Sequence, residues 1–338
     1  MKIDVIKYHQ IPKIELHCHL DGSLRIATVL KWLQEDQEDI ADENIEVFKK
    51  LLIAPDNCDS LDTYLERFQI PVNVLQTEKR LTQATYELYE DAAKENVKYL
   101  EVRFAPHLHL EKGLDLHRVI GAVVKGVKAA EADFKIKGNI ILSYLRNTEV
   151  KGFYQMIEAG SAWLGRGVVA VDLCGGERDR FAPRFKEAFE KARSLGYSVT
   201  IHAGETGSIE NIEDAISLLG ATRIGHGTAM YNDLQLQAQL SRKGIYIECC
   251  PTSNVQTKAV ASFKNHPLDL YYHNGVMVTL NTDNRTVSNT TMNEEFSQMN
   301  HYFNWDEAIV WKVFKQSIEA TFASDEIKSW LRQFIGNN

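Results

Sequence analysis

Short runs of apolar and β-branched residues alternate with longer amphipathic stretches along most of this 338-residue chain. Such alternation predicts a parallel sheet, because parallel neighbours must be joined by a crossover that is usually a helix. About eight strand-helix units are present, which is the number in a closed (β/α)8 barrel. A doubly wound open sheet is the alternative, but no glycine-rich dinucleotide turn follows the first strand. The sequence therefore predicts an α/β fold of the TIM-barrel type.

The candidate strands lie at 13–18, 97–104, 139–145, 167–173, 197–202, 222–226, 244–249 and 275–281. Amphipathic patterns such as RLTQATYELYEDAAKE and PRFKEAFEKARSLG lie between them, and three patterns end on glycine, a frequent helix terminator. The tail after residue 303 has the pattern of additional closing helices.

Residues from about 36 to 76 form an insertion after the first strand-helix unit. Within it, Leu61, Tyr64, Leu65 and Phe68 have the i, i+3, i+4, i+7 spacing of one apolar helix face. Such a face usually packs in a core, but it can also cover the mouth of a barrel as a lid. Both interpretations stay open from the sequence.

Composition excludes several functional classes. The net charge is -8 and no long Lys/Arg run occurs, which argues against nucleic-acid binding. No apolar run approaches the roughly 18 residues of a membrane helix, and charges interrupt the N-terminal apolar residues, unlike a signal peptide. The five cysteines show no paired spacing, so we expect a cytoplasmic protein without disulfides. The charge balance is compatible with a small-molecule substrate.

Residues that can bind a metal recur at the predicted strand ends. His17 and His19 share one face of the first strand, although a His-x-His pair is weak evidence alone. His202 and His226 close the fifth and sixth strands, and Asp283 follows the eighth. Because barrel active sites gather at the C-terminal strand ends, these residues are predicted to meet. Imidazoles with one carboxylate suit zinc, with a further position for water.

The other histidines and two adjacent cysteines are predicted to be structural. Cys249 and Cys250 lack the Pro-Cys-x-x-Cys spacing of zinc cytidine deaminases and are expected in the core. The histidines expected to have no catalytic role are His9, His107, His109, His117, His266, His273 and His301.

Seven motifs, ELHCHLDGSL, EVRFAPHLH, DLCGGE, HAGETGS, RIGHG, CPTSN and LNTDN, follow one another along the chain. Together they resemble the adenosine deaminases of the amidohydrolase superfamily, from about residue 12 to residue 335. The resemblance implies one metal-dependent deaminase domain over residues 1–338 and one zinc ion per chain. It also implies hydrolytic deamination of adenosine, and of 2′-deoxyadenosine, to inosine and ammonia. The expected partner is the purine nucleoside, with no nucleic acid and no membrane, and the sequence does not determine the oligomeric state.

The same resemblance implies a role for each motif residue. Glu205 resembles the acid that protonates purine N1 while hydroxide, made available at neutral pH by zinc, attacks C6. His226 resembles the group that orients this hydroxide. The residues that look like zinc ligands are His17, His19, His202 and Asp283, the last of which also counts among the catalytic residues.

Substrate contacts follow from the resemblance in the same way. Asp21 looks like the acceptor of the ribose 5′-hydroxyl, and the Gly175 N–H like the donor to purine N3. Asn284 stands where many relatives have an aspartate that contacts N7, and an amide donates to N7 without a pKa shift. Gly176 stands where relatives are often acidic, and the sequence offers no account of it. The residues that resemble the apolar cover are Leu61, Leu65 and Phe68; with them, His19 is expected to contact the substrate.

Three alternatives remain at this stage. A related purine deaminase could act on adenine, a modified adenosine or an AMP-type nucleotide; Asp21 favours a nucleoside, whereas Arg25 and Arg285 leave a nucleotide possible. A binuclear amidohydrolase is disfavoured because AVDLCGG lacks the bridging lysine. A non-catalytic purine-binding protein should have lost Glu205 or a ligand, and none is lost.

Overall fold

A computed structural model describes residues 8–38, 45–178 and 180–335, and it contains one sheet of eight parallel strands. The strands follow one another in the order of the chain, and each pairs with the next. Helices connect them, so the predicted (β/α)8 fold is confirmed. The strands are β1 (Lys13–His19), β2 (Val97–Phe104), β3 (Lys137–Leu145), β4 (Val168–Cys174), β5 (Ser198–Ala203), β6 (Arg223–His226), β7 (Tyr246–Cys249) and β8 (Met277–Leu280).

The last strand returns to the first at the rim of the barrel. The backbone N–H of His19 donates to the Asp283 carbonyl at 2.7 Å, and the Asp283 N–H donates to the His17 carbonyl at 3.0 Å. Cys18 and Asp283 form a parallel bridge at the same level. The seam of the barrel therefore lies directly under the metal-capable residues of β1 and β8.

Five strands begin one or two residues later than the sequence predicts, and three of the predicted segments start on a glycine in the left-handed region. Gly167, Gly244 and Gly275 have φ of 137°, 69° and 77°. Gly244 ends the preceding helix, where its amide bonds back to the last turn. A strand cannot include a left-handed residue without losing its ladder geometry, so β4, β7 and β8 start beyond these glycines.

The described helices connect the strands and close the chain. The predicted insertion carries α2, α3 and α4 between the first unit and the next, and its residues 39–44 lie outside the described part. The predicted closing helices are confirmed as α14 and α15. The helices are α1 (Ile26–Glu35), α2 (Ile45–Leu52), α3 (Leu61–Leu65), α4 (Gln69–Val74), α5 (Glu78–Lys94), α6 (Leu116–Asp133), α7 (Val150–Ser161), α8 (Lys186–Leu195), α9 (Ile209–Ser217), α10 (Leu234–Lys243), α11 (Pro251–Gln256), α12 (Leu268–His273), α13 (Met292–Phe303), α14 (Glu307–Ala320) and α15 (Asp325–Arg332).

The two faces of the strands bury different chemistry. The outward face packs apolar residues against the helices; Ile14 and Leu16 of β1, for example, join Phe314 of α14 in one cluster. The barrel interior instead buries ionisable and polar side chains in one network, among them His17, Glu101, Arg103, Asp172, Thr200, Arg223 and Glu248. A charged interior has to be fully paired to be tolerated, and it fixes the side chains at the rim above it.

Two smaller predictions can also be compared with the structure. Cys249 and Cys250 are buried, as expected of core residues. None of the helices in the described ranges is both long and apolar enough to cross a membrane.

Candidate active site

A cavity of about 250 Å³ opens at the C-terminal ends of the strands. The metal-capable residues His19, His202 and Asp283 lie on its floor, together with Glu205 and His226. They close or follow four strands, β1, β5, β6 and β8, so the parallel sheet brings together residues that are far apart in the sequence.

Three distances among the donor atoms of His17, His19, His202 and Asp283 are close to those within a tetrahedral metal site. His17 Nε2 and His19 Nε2 lie 3.2 and 3.4 Å from Asp283 Oδ1, and the Nε2 atoms of His19 and His202 are 3.1 Å apart. Ligand atoms held about 2 Å from one ion in tetrahedral geometry are roughly 3.3 Å from one another. Among the described residues, one group of four has all its ligand atoms within 4.8 Å of one another: His17, His202, His226 and Asp283, in which His226 takes the place of His19.

Carboxylates stand behind two of these imidazoles. His17 Nδ1 lies 2.8 Å from Glu248 Oε2, and His202 Nδ1 lies 3.0 Å from Asp172 Oδ1. An ionised carboxylate can only accept, so each ring carries its proton on Nδ1 and turns the Nε2 lone pair to the cavity. Arg103 contacts both carboxylates, at 2.7 and 3.2 Å.

The pKa values of these carboxyls agree with an ionised state. Burial alone would raise the pKa of Glu248, but Arg103 and Arg223 hold it well below its ordinary range. Burial opposes the change at Asp172 as well, where His202 and Arg103 lower the pKa. Both groups therefore stay charged at neutral pH and keep accepting from the imidazoles.

The imidazoles themselves fit a bound cation. Burial lowers the pKa of His202 to about 3 and that of His19 well below its ordinary value, so both rings are neutral. Buried His17 Nε2 has no hydrogen-bond partner, although an Asp283 oxygen is close. A buried lone pair left without a donor, facing a carboxylate and two neutral imidazoles, is what a zinc-type ion satisfies.

Glu205 is held over this floor by a tightly bonded loop. The carboxylate of Glu177 accepts from the backbone N–H groups of Gly204, Glu205 and Thr206 at 2.7, 2.8 and 2.9 Å. Gly204 is required here, because its φ is 77° and a Cβ would approach Ile212 to 2.5 Å. The loop therefore has one conformation, in which the Glu205 side chain lines the cavity.

The Glu205 carboxyl is in an environment that favours its protonated form. Burial raises its pKa above the ordinary value and the charge of Asp283 adds to the increase, although His226 opposes it. Thr257 Oγ1 donates to Glu205 Oε1 at 3.1 Å, and His226 Nε2 lies 3.7 Å from Oε2. The group thus combines access to the cavity with the proton that a general acid needs.

His226 and Asp283 share a backbone feature. Their φ angles are 66° and 62°, in the left-handed region that costs energy for residues other than glycine. Both are fixed by side chains of α11, where Ser253 Oγ donates to Asp283 Oδ2 at 2.6 Å and Asn254 Nδ2 lies 2.9 Å from His226 Nδ1.

The other predicted substrate-binding residues also line the cavity. Asp21 is buried there with Oδ1 unpartnered, and burial raises its pKa to about 6. Gly175 lines the cavity with φ of 83°, and a Cβ at Gly176 would meet nothing within 4 Å. Asn284 Nδ2 donates to Tyr64 Oη at 3.0 Å, whereas its Oδ1 has no partner.

The inserted helices form one wall of the cavity. Leu61, Leu65 and Phe68 line it from α3 and the short 3₁₀ helix Glu66–Phe68 that follows. Tyr64 lines the cavity as well but also packs in a small buried cluster, and its hydroxyl lies 2.6 Å from Ser288 Oγ. The apolar face therefore serves both as core and as cavity wall, the two interpretations that the sequence left open.

The two arginines that left a nucleotide possible are already paired. Arg25 binds Glu90 and Asp91, and Arg285 binds Glu15 and Glu95. Among the described residues, no lysine or arginine lines the cavity. A phosphate in this cavity would have no cation to pair with.

Sequence reasoning missed the groups behind the histidines. Asp172 and Glu248 could have been found from the sequence, because an acidic residue inside the apolar runs VVAVDL and GIYIEC has to be buried and therefore paired, whereas Glu177 lies outside these runs. Asn254 gave no such signal. His266 was set aside as structural, yet it is buried and bonds Asn254.

Comparison with known proteins agrees with this geometry. Residues 12–337 match the family described as Adenosine deaminase. An adenosine deaminase of Clostridium perfringens is 47% identical over 325 residues, which cover 96% of this chain and 98% of the relative. One from Shewanella halifaxensis is 47% identical over 330 residues, with 98% and 100% covered. The solved N6-methyl-AMP deaminase of Arabidopsis thaliana superimposes with a TM-score of 0.85 at 27% identity, covering 99% of both chains.

An eight-stranded barrel with imidazoles and carboxylates gathered on its C-terminal rim defines a hydrolase of the amidohydrolase superfamily. The family match extends over nearly the whole chain, and both bacterial relatives are matched almost end to end. The chain belongs to the adenosine deaminase family.

Proposed function

We propose that this chain, as one domain over residues 1–338, hydrolyses adenosine and 2′-deoxyadenosine to inosine-type products and ammonia. One observation carries the proposal. A single cavity is lined by metal-capable residues, by a buried carboxyl with a raised pKa and by a carboxylate with an unpartnered oxygen. These three features match the reacting amino group, the ring nitrogen beside it and the sugar of a purine nucleoside.

The metal is proposed to be one zinc ion per chain, held by His17, His19, His202 and Asp283. The spacing of the four donor atoms and the orphaned lone pair of His17 support this choice. When bound, zinc acts as a Lewis acid that lowers the pKa of a water molecule to around 7.

Glu205 is proposed as the general acid. Addition of an oxygen nucleophile at C6 places an electron pair on N1 and removes the aromaticity of the ring. A neutral carboxyl beside N1 can supply the proton that this electron pair requires, and the raised pKa of Glu205 supports the assignment. The proton remains on N1 in the product, while the amino group takes the proton of the oxygen added at C6 and departs as ammonia, which leaves a carbonyl at C6.

The remaining cavity residues are proposed to fix the substrate. Asp21 Oδ1 accepts the ribose 5′-hydroxyl, and the Gly175 N–H donates to N3. The second N–H of the Asn284 amide, beyond the one given to Tyr64, donates to N7. Leu61, Leu65 and Phe68 cover the nucleoside and keep bulk water out.

Nucleotide deamination is the nearest alternative, since the Arabidopsis relative acts on a methylated AMP by its name. The paired states of Arg25 and Arg285 and the lack of cations among the described cavity residues favour a neutral nucleoside instead. Adenine would leave Asp21 buried without its partner, which costs free energy.

The test is ammonia release from adenosine, 2′-deoxyadenosine, adenine and AMP, each assayed separately with the same zinc-loaded protein. Adenosine and its 2′-deoxy form should be deaminated with the highest kcat/KM. Higher kcat/KM for AMP or adenine would contradict the nucleoside assignment. Metal analysis should give about one zinc per chain, and full activity in a metal-free sample would contradict the metal assignment.

A further inference from the structure

A chain of buried hydrogen bonds lies behind His226. The backbone N–H of Leu268 donates to His266 Nδ1 at 3.1 Å, and His266 Nε2 lies 3.1 Å from Asn254 Oδ1. Asn254 Nδ2 in turn lies 2.9 Å from His226 Nδ1. The three side chains are no more than 3% exposed, so water does not compete for these bonds.

The direction of each bond in this chain follows from its first member. A backbone N–H can only donate, so His266 Nδ1 must be an acceptor. Burial lowers the pKa of His266 to about 3, which makes the ring neutral, and its proton is therefore on Nε2. Nε2–H donates to the Asn254 oxygen, and this contact orients the amide with its N–H₂ group toward His226.

We infer that His266, acting through Asn254, is a positioning residue that fixes His226 as the tautomer with its proton on Nε2. Because the Asn254 amide donates to Nδ1, a neutral His226 ring has only Nε2 left for its proton. This nitrogen lies 3.7 Å from the Glu205 carboxyl and faces the cavity. His226 therefore offers a hydrogen-bond donor at the floor, not a lone pair.

This tautomer decides between the two overlapping groups of metal-capable residues. A histidine ligand needs a free lone pair, which the carboxylates behind His17 and His202 leave on Nε2. The Asn254 amide behind His226 instead donates to Nδ1, so Nε2 carries the proton and has no free lone pair. The zinc set is then completed by His19 and not by His226. In the deamination proposed above, on which this part of the inference rests, His226 donates to the attacking oxygen and holds it toward C6.

The direct test is a long-range ¹H–¹⁵N spectrum of zinc-loaded protein labelled with ¹⁵N-histidine, where protonated and unprotonated ring nitrogens resonate far apart. The His226 signals are assigned from their loss in His226→Gln. We expect Nε2 protonated and Nδ1 unprotonated in the parent protein. A parent protein with its His226 proton on Nδ1, or with Nε2 bound to the metal, would overturn the inference.

The chain of hydrogen bonds behind His226 is tested by reversing the direction of one of its bonds. Asn254→Asp puts an acceptor-only group beside Nδ1, so the His226 proton should move from Nε2 to Nδ1. Asn281→Asp introduces the same change at another fully buried asparagine, one that bonds Leu16 and Cys249, and should leave the His226 signals in place. An unchanged His226 pattern in Asn254→Asp would show that the amide does not set the tautomer.

His266 can be tested without adding a buried charge. His266→Leu removes the donor to Asn254 and should lower kcat about tenfold with little change in KM, the lower range for groups that orient a site through another residue. His266→Gln returns an N–H near the Nε2 position and should recover most of kcat. His273→Leu, at an exposed position on α12, is the matched control and should retain parental kcat.

The two proposals fail separately. The nitrogen spectrum needs no turnover, so the tautomer can be established even in a protein that does not deaminate adenosine. Conversely, deamination by a protein whose His226 proton is on Nδ1 would leave the proposed function intact. It would contradict the inference that His266 and Asn254 place the proton on Nε2. Equal kcat losses in His266→Leu and His266→Gln, with unchanged His226 signals, would reduce His266 to a packing residue.

Discussion

Behind His17 and His202 stand the ionised carboxylates of Glu248 and Asp172, whereas behind His226 stands the neutral amide of Asn254. The three imidazoles are packed against one another, with ring centroids 4.5 to 5.2 Å apart. They share the same burial and nearly the same position in the barrel. They differ in the group that contacts Nδ1.

This difference shows that proximity alone does not make a histidine a metal ligand. A carboxylate accepts at Nδ1 and frees the lone pair of Nε2, while an amide donor leaves the proton on Nε2. On the proposed assignment, the floor of the cavity has a metal half, in which carboxylates contact His17 and His202, and a proton-donating half, in which Thr257 and Asn254 contact the side chains of Glu205 and His226.

The largest effect on kcat is expected from Glu205, because it is the proposed proton donor and is not a proposed metal ligand. Glu205→Gln keeps size and a hydrogen-bond donor but cannot transfer a proton to N1. We expect kcat and kcat/KM to fall together by about 10²–10⁴-fold with little change in KM. Zinc content and the melting temperature should stay near parental values, because Glu205 belongs to the other half.

The measurement is steady-state deamination of adenosine beside a zinc determination. Glu213→Gln, which removes an exposed carboxylate from nearby α9, is the control and should be neutral. Retention of more than about a tenth of parental kcat in Glu205→Gln would exclude it as the proton donor. Loss of zinc in Glu205→Gln would show that Glu205 supports the metal, which contradicts the division of the cavity floor into two halves.

Asp21 provides a carboxylate that supports no imidazole. If its free Oδ1 accepts the 5′-hydroxyl, Asp21→Ala should lower kcat/KM for adenosine by roughly 1.5–3 kcal/mol, or about 10–150-fold. 5′-Deoxyadenosine already lacks this bond and should lose little. Equal losses on the two nucleosides would indicate a structural role for Asp21.

Asp172→Asn makes the support of His202 resemble that of His226. The new amide can donate to Nδ1 and so shift the ring to the tautomer that does not bind a metal. We expect about 10–100-fold weaker zinc binding, measured by competition with a chelator of known affinity. Ser143→Ala removes a neighbouring donor to Asp172 but keeps the carboxylate, and its zinc affinity should change less. If Asp172→Asn binds zinc as tightly as the parent protein, the carboxylate at Nδ1 is not what makes His202 a metal ligand.

The smallest effect concerns Glu295, which bonds the backbone and threonines around α11, the helix that supports both halves. Burial raises its pKa from 4.5 to about 8, so the folded protein binds a proton that the unfolded chain releases between these values. The resulting stability is complete below pH 4.5 and is lost as pH rises through 8.

Glu295→Gln cannot titrate and should gain stability relative to the parent protein as pH rises from 5 to 9. The change in the difference of melting temperatures should be on the order of a few degrees. Melting curves of both proteins across this range provide the measurement. A constant difference at every pH would mean that Glu295 is ionised in the folded state.

Much of the site could be predicted from the sequence because strands impose a simple rule. Side chains alternate along a strand, and parallel strands end at one rim, so the sequence predicts that His17, His19, His202, His226 and Asp283 meet. The resemblance to a known family added Glu205 and the substrate contacts. Local sequence also determined the positions of the strands, apart from those that start beyond a left-handed glycine.

The tertiary structure alone decided what stands behind each imidazole. Asp172 and His202 are 30 residues apart, Glu248 and His17 are 231 apart, and Asn254 and His226 are 28 apart. No periodicity relates these pairs, because they meet only through the closure of the barrel and the packing of α11 on its rim. The position of a ring proton depends on the direction of a hydrogen bond, and that direction is set by the partner atom in space. The sequence by itself determined which residues reach the rim, and the fold determined which of them can bind a metal.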